Sequence, residues 1–244
     1  MEECLKCVER DSAEGVPGEL ELRVGRWDGG RFVPGVSREV FEQLERDLTE
    51  SHLEGDCGWK EFVDYHYHTT AHGGRARSRI EFDSDRMELR KQHVCKEQRH
   101  SLVLQRLDNS EACRLAWSYE IPLVTPPAEC MPTHVRIQQR RRFVDRREGK
   151  VVWMYELSKV WSANTRSGVE YMQHNSDPAF EVECEFVDEG GAYRGAHSFS
   201  HLQRSLQAKA NMLLGDEPGT DLEVMGVRVA ERKGGERRTK RCRR

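Results

Sequence analysis

The sequence lacks any apolar run close to the roughly 18 residues that a transmembrane helix requires, and its amino terminus has no apolar signal segment. Its eight cysteines show neither the spacing of a disulfide framework nor that of a two-pair zinc site. We therefore expect a soluble, intracellular protein with reduced thiols and no membrane partner.

Motifs of several phosphate-handling enzymes are also absent. The chain has no P-loop GxxxxGK[ST] and no KxDG of guanylyl transfer. The C-x5-R spacing of cysteine phosphatases occurs twice, from Cys4 to Arg10 and from Cys130 to Arg136, but neither match follows a His or contains glycines. Glycines are what lets such a loop aim backbone N–H groups at phosphate. A cysteine nucleophile is therefore not expected.

Apolar residues are scarce as well. Hydrophobic residues make up 36% of the 244-residue chain and charged residues 33%, which is lean for a solid core but natural for a barrel with a polar interior. The last 14 residues carry a net charge of +6 and the remainder −9. We expect one domain at 18–225, a short segment at 1–17 and a disordered basic tail at 226–244. The tail could serve as a nuclear-import signal, an RNA-contacting arm or solubilising charge.

Most of the chain shows the alternation of β-strands, with short connections. The alternating segments are 19–24, 62–68, 76–83, 86–94, 101–107, 112–121, 134–144, 150–161, 169–174 and 179–187. Apolar residues recur at helical spacing in two other segments, 37–53 and 197–214, which predicts amphipathic helices packed outside a sheet or barrel. The pattern therefore predicts a mainly antiparallel β protein.

Two acidic ladders stand near the ends of this β region. Side chains alternate between the two faces of a strand, so Glu19 and Glu21 share one face, and so do Glu181, Glu183 and Glu185. Carboxylates about 4 Å apart repel by about 4 kcal/mol near a protein surface, which a divalent cation would relieve. The alternative is that each ladder is the solvated face of an ordinary half-buried strand.

Middle strands also place acids and bases on one face. The residues concerned are Arg77, Arg79, Glu81, Arg114, Glu120, Arg136, Gln138, Arg140, Arg142 and Glu156. On a flat sheet they would face solvent, whereas in a closed barrel they would face a central cavity. Such a cavity needs a ligand with negative charge and metal ions, and a triphosphate fits because arginines bind its oxygens while a carboxylate-held cation joins it to the glutamates.

Several of these segments, in this order, resemble the metal-dependent RNA 5′-triphosphatases of fungal and protozoan mRNA capping, members of the triphosphate tunnel metalloenzymes. The resemblance spans about residues 18 to 187. It is carried by the Glu19-Leu-Glu21 strand, the 31–36 segment, the Arg79 strand, the 114–120 and 136–143 strands, and the 181–185 ladder. It implies a closed eight-stranded antiparallel β-barrel with a few external helices, Mg²⁺ or Mn²⁺, and removal of the γ-phosphate from nascent RNA in the nucleus.

The resemblance also implies residue roles. Glu19, Glu21 and Glu185 would bind the metal directly, and Glu181 and Glu183 would do so through water. Glu120 would position the attacking water, with Arg114 and Arg140 acting beside it. The rest of the substrate site would comprise Arg79, Arg136, Arg142, Glu156 and either Arg90 or Lys91. A separate guanylyltransferase would complete the cap.

The chain departs from the family pattern at two positions. Gln138 stands where a basic residue is usual, and Met154 stands where another is expected, two positions before Glu156. Arg142 has the parity of Gln138 and can substitute for it, unless the strand register is shifted by two.

Two rival functions remain open on the sequence. One is a triphosphatase for inorganic triphosphate, thiamine triphosphate or nucleotides, and the other is a non-catalytic module that binds RNA 5′ ends. The 31–36 segment and the basic tail favour RNA.

Overall fold

The computed structural model describes residues 1, 4–6, 8, 18–51, 53–55, 58–68, 75–83, 88–105, 111–123, 131–147, 149–187, 199–215 and 222–229. The strands are β1 (Glu19–Asp28), β2 (Arg31–Pro34), β3 (Glu54–Gly55), β4 (Lys60–His68), β5 (Arg75–Asp83), β6 (Glu88–Gln105), β7 (Glu111–Pro122), β8 (His134–Arg147), β9 (Lys150–Ala163), β10 (Ala179–Phe186) and β11 (Glu223–Val229). The helices are α1 (Arg38–Glu50), α2 (Arg166–Asn175) and α3 (Phe199–Leu213).

Eight of the strands form a closed antiparallel barrel. Their order is β1, β10, β9, β8, β4, β5, β6, β7 and then β1 again. Strand β1 closes the ring because it pairs with β7 on one side, Glu21 opposite Ala116, and with β10 on the other, Glu21 opposite Glu185. The short strands β2, β3 and β11 pair with β1, β8 and β6 outside the ring. The expected closed eight-stranded barrel is confirmed.

The largest apolar cluster lies on the outer face of the barrel. Leu20 and Leu22 of β1 and Trp153 of β9 point outward and are at most 1% exposed. They belong to one cluster with Phe41 of α1 and Leu206 of α3. The helices therefore bury the outward-facing apolar residues, and the inner face is left to polar side chains. This arrangement explains how a chain with few apolar residues still builds a core.

Helix α2 shows where the alternation signal was wrong. The sequence predicted a strand at 169–174, but these residues lie within α2. The Thr165 side chain accepts a hydrogen bond from the Gly168 backbone N–H at 3.1 Å and caps the helix. Val169, fully buried, packs against Ile137 and Trp161 on the outside of the barrel. The cap at Thr165 and the packing of Val169 stabilise a helix here, although the short alternating pattern predicted a strand.

Two further boundaries differ from those expected. The segments predicted as separate strands at 86–94 and 101–107 form the single strand β6, whose register shifts between Gln98 and His100. Such a bulge breaks the period-two pattern without ending the strand. Strand β11 crosses the expected boundary between domain and tail at 225/226, and residues 230–244 lie outside the described part of the chain.

Cys4, Cys95, Cys113 and Cys184 are buried. Within the described ranges, no helix is long and apolar enough to cross a membrane.

Candidate active site in the tunnel

The inner face of the barrel encloses a charged cavity of about 190 Å³. Seven Asp and Glu side chains and seven Lys and Arg side chains line it. The lining consists of Glu19, Glu21, Arg23, Asp64, His66, Arg77, Arg79, Gln92, Lys96, Glu120, Arg136, Gln138, Arg140, Arg142, Met154, Glu156, Glu183 and Glu185. The face of each strand on which the acidic ladders were expected is therefore the face that lines the cavity.

The acidic side of the tunnel is built by β1 and β10, which are neighbours in the ring. Glu21 lies opposite Glu185 in the ladder, and Arg23 lies opposite Glu183. Arg23 donates to Glu21 Oε1 at 3.0 Å and contacts Glu183 Oε1 at 2.5 Å. The two ladders from the ends of the β region thus meet side by side on one wall.

Crowding of these carboxylates shifts their pKa values. Burial, with the nearby Glu19, Glu156 and Glu21, raises the pKa of Glu185 to about 9. Burial also raises the pKa of Glu19 and of Glu183. Burial would raise the pKa of Glu21 too, but the charges of Arg23, Lys96 and Arg114 lower it to about 2. The wall near Glu185 is therefore short of positive charge.

A hard divalent cation suits this donor set, because carboxylate oxygens are the ligands that Mg²⁺ prefers. Glu19, Glu21 and Glu185 would hold it. Across the part of the chain that the structure describes, no three His, Cys, Asp or Glu side chains are already grouped around one metal position. The ammonium of Lys96 contacts Glu19 and lies 3.3 Å from Glu21 Oε2. The carboxylates of Glu19, Glu21 and Glu185 therefore suit a divalent cation. The Lys96 ammonium lies beside Glu19 and Glu21.

The basic side of the tunnel comes from β5 and β8, and its arginines are tied to buried acids. Arg79 donates to both oxygens of Asp64, at 2.8 and 2.7 Å. Arg140 and Arg142 both donate to Glu156, Arg142 at 2.6 Å. These guanidiniums are oriented before any ligand arrives, which suits binding of phosphate oxygens.

Gln138 joins the two groups of ion pairs. Its amide nitrogen donates to Asp64 Oδ2 at 2.9 Å, and its amide oxygen accepts from Arg140 Nη2 at 2.9 Å. An amide can do both because it carries a donor and an acceptor, whereas a lysine at this position could only donate. The neutral residue that departs from the family pattern is thus a link in the network, and Arg142 lies on the same face with its side chain in the cavity.

Glu120 lines the tunnel beside the acidic wall. Its Oε1 accepts from Arg77 at 3.3 Å and lies 4.0 Å from the Lys96 Nζ atom. The carboxylate is one-fifth exposed, so it can be reached from the cavity. This position is compatible with orienting a water molecule towards a bound phosphate.

The other candidate residues lie at the margins of the cavity or outside its lining. Arg136 lines it and donates to Glu181 at 2.7 Å, whereas Glu181 itself is not part of the lining. Arg114 lies opposite Arg23 in the β1–β7 ladder, with its Nη2 atom 3.9 Å from Glu21 Oε1, but it is not part of the lining. Arg90 and Lys91 are both exposed on β6, and alternation along the strand gives Arg90 the face of the cavity-lining Gln92.

Sequence reasoning missed several lining residues. Asp64, His66, Gln92 and Lys96 face the tunnel and had no predicted role, whereas Arg77 also faces it and had been placed on the charged face with Arg79. Lys96 was not predicted because the sequence pattern ended the strand at residue 94. In the structure it lies directly opposite Glu120 in the β6–β7 ladder. A continuous strand through 88–105 would have placed it on the inner face with Gln92. Asp64 could have been found from the alternation of Phe62, Asp64 and His66.

Comparison with solved structures identifies proteins with this architecture. The Pct1 RNA triphosphatase of S. pombe superposes with a TM-score of 0.57 at 15% sequence identity, over 86% of this chain and 91% of that one. The same protein in complex with the Spt5 CTD gives 0.57 at 17% identity, with the same coverage. The Mimivirus capping enzyme triphosphatase gives 0.54 at 13% identity, over 88% and 97%.

The chain has the fold of these RNA triphosphatases. The shared closed barrel confirms the resemblance seen in the sequence. Searches of the sequence against protein-family models and curated proteins find no match. At these identities the fold is shared, and activity has to be argued from the site.

Proposed function

We propose that this chain removes the γ-phosphate from the 5′-triphosphate end of RNA, the first step of mRNA capping, with Mg²⁺ or Mn²⁺ as cofactor. One observation carries the proposal: a closed tunnel has a carboxylate wall, Glu19, Glu21, Glu183 and Glu185, on one side and a pre-oriented arginine wall on the other. A triphosphate chain carries enough negative charge to engage both walls when a cation accompanies it. The neighbouring structures favour RNA as the carrier of that triphosphate, because both are named as RNA or capping triphosphatases.

The residues of the chain divide the work of phosphoryl transfer. Arg79, Arg140 and Arg142 bind the phosphate oxygens and stabilise the charge that develops on the transferring group. Glu120 holds the attacking water in line with the leaving oxygen. A cation bound by Glu19, Glu21 and Glu185 would polarise the phosphate and neutralise its charge.

A lining arginine whose nitrogens are all engaged must exchange an existing contact for phosphate. Arg140, for example, is 8% exposed and already donates to Glu156, Ser158 and Gln138. The exchange is favourable only for a ligand that contacts several guanidiniums at once, which excludes a lone monophosphate as the preferred substrate. The product would keep a 5′-diphosphate, which a separate guanylyltransferase in the nucleus would then use.

The test is a side-by-side rate measurement with triphosphate-ended RNA, ATP and inorganic triphosphate, in Mg²⁺, in Mn²⁺ and in excess chelator. We expect release of γ-phosphate from RNA to be fastest and to stop in chelator. Glu19→Ala and Glu185→Ala should abolish release while leaving the circular dichroism spectrum unchanged. Full activity in chelator, or hydrolysis of inorganic triphosphate alone, would contradict the proposal.

A further inference from the structure

Phe62 is an apolar residue on the charged inner face of the barrel. It alternates on β4 with Asp64 and His66, which both line the tunnel. Val63 and Tyr65, which have the opposite parity, pack instead against an apolar cluster with Ile137 outside the barrel. Phe62 is only 3% exposed, so its ring is covered from within the tunnel.

Three arginines cover this ring. The guanidinium carbons of Arg79, Arg140 and Arg142 lie 5.1, 5.8 and 5.9 Å from its centroid. These distances are within the range at which a cation is attracted to the electron-rich face of an aromatic ring. All three arginines belong to the basic wall of the tunnel.

Each of these arginines also pairs with a buried acid. Asp64 pairs with Arg79, and Glu156 serves both Arg140 and Arg142. Glu183 on the facing wall also interacts electrostatically with Arg79 and Arg140, but the three guanidiniums still repel one another at the ring. The ring quadrupole offsets part of the repulsion without occupying the N–H donors that a phosphate needs.

We propose that Phe62 is a positioning residue that holds Arg79, Arg140 and Arg142 together as one polyphosphate-binding unit. The proposal rests on the proposed function only in so far as it takes the basic wall to bind the phosphates. An aliphatic residue fills the space but offers no π face, so the three guanidiniums repel one another and lose their common orientation. Binding of a chain of phosphates then weakens, because it depends on several arginines at once.

The probe is inorganic triphosphate without metal, and its affinity for the full chain is measured by calorimetry. We expect Phe62→Leu to bind it about tenfold more weakly than the wild type, in line with the usual strength of buried cation–π contacts. Phenylalanine analogues with one, two or three ring fluorines can be incorporated at position 62. They keep the shape of the ring but reduce the negative electrostatic potential of its face step by step. Affinity should fall with each fluorine, a trend that a purely structural role of the ring would not produce.

Phe143 provides the matched control. It is 1% exposed, belongs to the outer apolar cluster, and has the Arg141 guanidinium 4.9 Å from its ring centroid. The same substitutions at position 143 should change the melting temperature and leave the affinity for inorganic triphosphate unaltered.

Equal affinity of the wild type and the fluorinated Phe62 series would overturn the positioning role, and so would failure of the wild type to bind inorganic triphosphate at all. Failure of the proposed function would give a different result. The affinity for inorganic triphosphate would still fall along the fluorine series, but the protein would release no γ-phosphate from triphosphate-ended RNA.

Discussion

Asp64 allows the energetic role of the tunnel network to be measured. Its carboxylate is 1% exposed and accepts two hydrogen bonds from Arg79 and one from Gln138. Asp64→Asn keeps the size of the side chain and removes its charge. The Arg79 guanidinium, itself 9% exposed, then loses its paired carboxylate in the interior.

Two routes give the size of the effect. Burial alone would raise the pKa of Asp64, but hydrogen bonds and charge from Arg79, with the charge of Arg77, lower it from 3.8 to about 2. At 1.36 kcal/mol per pKa unit, this shift corresponds to roughly 2 kcal/mol. Removing one partner of a buried pair typically costs about 3–5 kcal/mol. We therefore expect Asp64→Asn to lose about 2–5 kcal/mol and to melt about 5–15 °C lower.

The pH dependence follows from the direction of the shift. Because the folded-state pKa of Asp64 is depressed, its stabilising contribution is complete above about pH 3.8 and is lost as the pH falls towards about 2. The stability difference between the wild type and Asp64→Asn should therefore be constant near neutrality and shrink over that interval.

Urea denaturation followed by circular dichroism at a series of pH values provides the measurement. Asp145→Asn is the control, because Asp145 pairs at 3.2 Å with Lys209 outside the barrel and both side chains are about one-fifth exposed. That variant should lose about 1 kcal/mol or less. A loss below 1 kcal/mol in Asp64→Asn, or a difference that persists unchanged down to pH 2, would refute the reasoning.

Three further predictions concern Gly25 on β1, Lys96 beside the acidic wall, and the buried Cys184 on β10. Gly25→Ala would bring a Cβ to 2.3 Å from the Val33 carbonyl oxygen, so we expect urea denaturation to show a loss of about 1–3 kcal/mol, and wild-type stability would contradict that close approach. Lys96→Gln should bind Mn²⁺ more tightly in a metal titration without substrate, since it removes the ammonium beside Glu19 and Glu21; weaker binding would show that the lysine does not compete. Burial raises the pKa of the Cys184 thiol to about 12, so mass spectrometry should find it unalkylated by iodoacetamide at pH 8 in the folded protein and alkylated in urea.

Much of the site could be predicted because parity is a local property. Glu19 and Glu21, or Glu183 and Glu185, share a face in any extended strand, whatever the strand is paired with. The same rule placed Arg136, Gln138, Arg140 and Arg142 on one face of β8, and all four line the tunnel. Covalent geometry alone decides this alternation, so the sequence was sufficient.

The rest depended on contacts between residues far apart in the chain. Whether the charged face met solvent or a cavity was decided by the pairing of β1 with β10, which closes the ring. Strand pairing also decided which acid each arginine meets: Arg79 meets Asp64 across the β4–β5 ladder, and Arg142 meets Glu156 across the β8–β9 ladder.

The sequence by itself determined which side chains lie together on each strand, and therefore that acids and bases would share faces. Only the tertiary structure decided that those faces turn inward, that Lys96 enters the acidic wall, and that Phe62 lies beneath three arginines. The physical reason is that alternation is fixed within a few residues of backbone, whereas closure and register are set by the burial of the outer apolar face against α1 and α3.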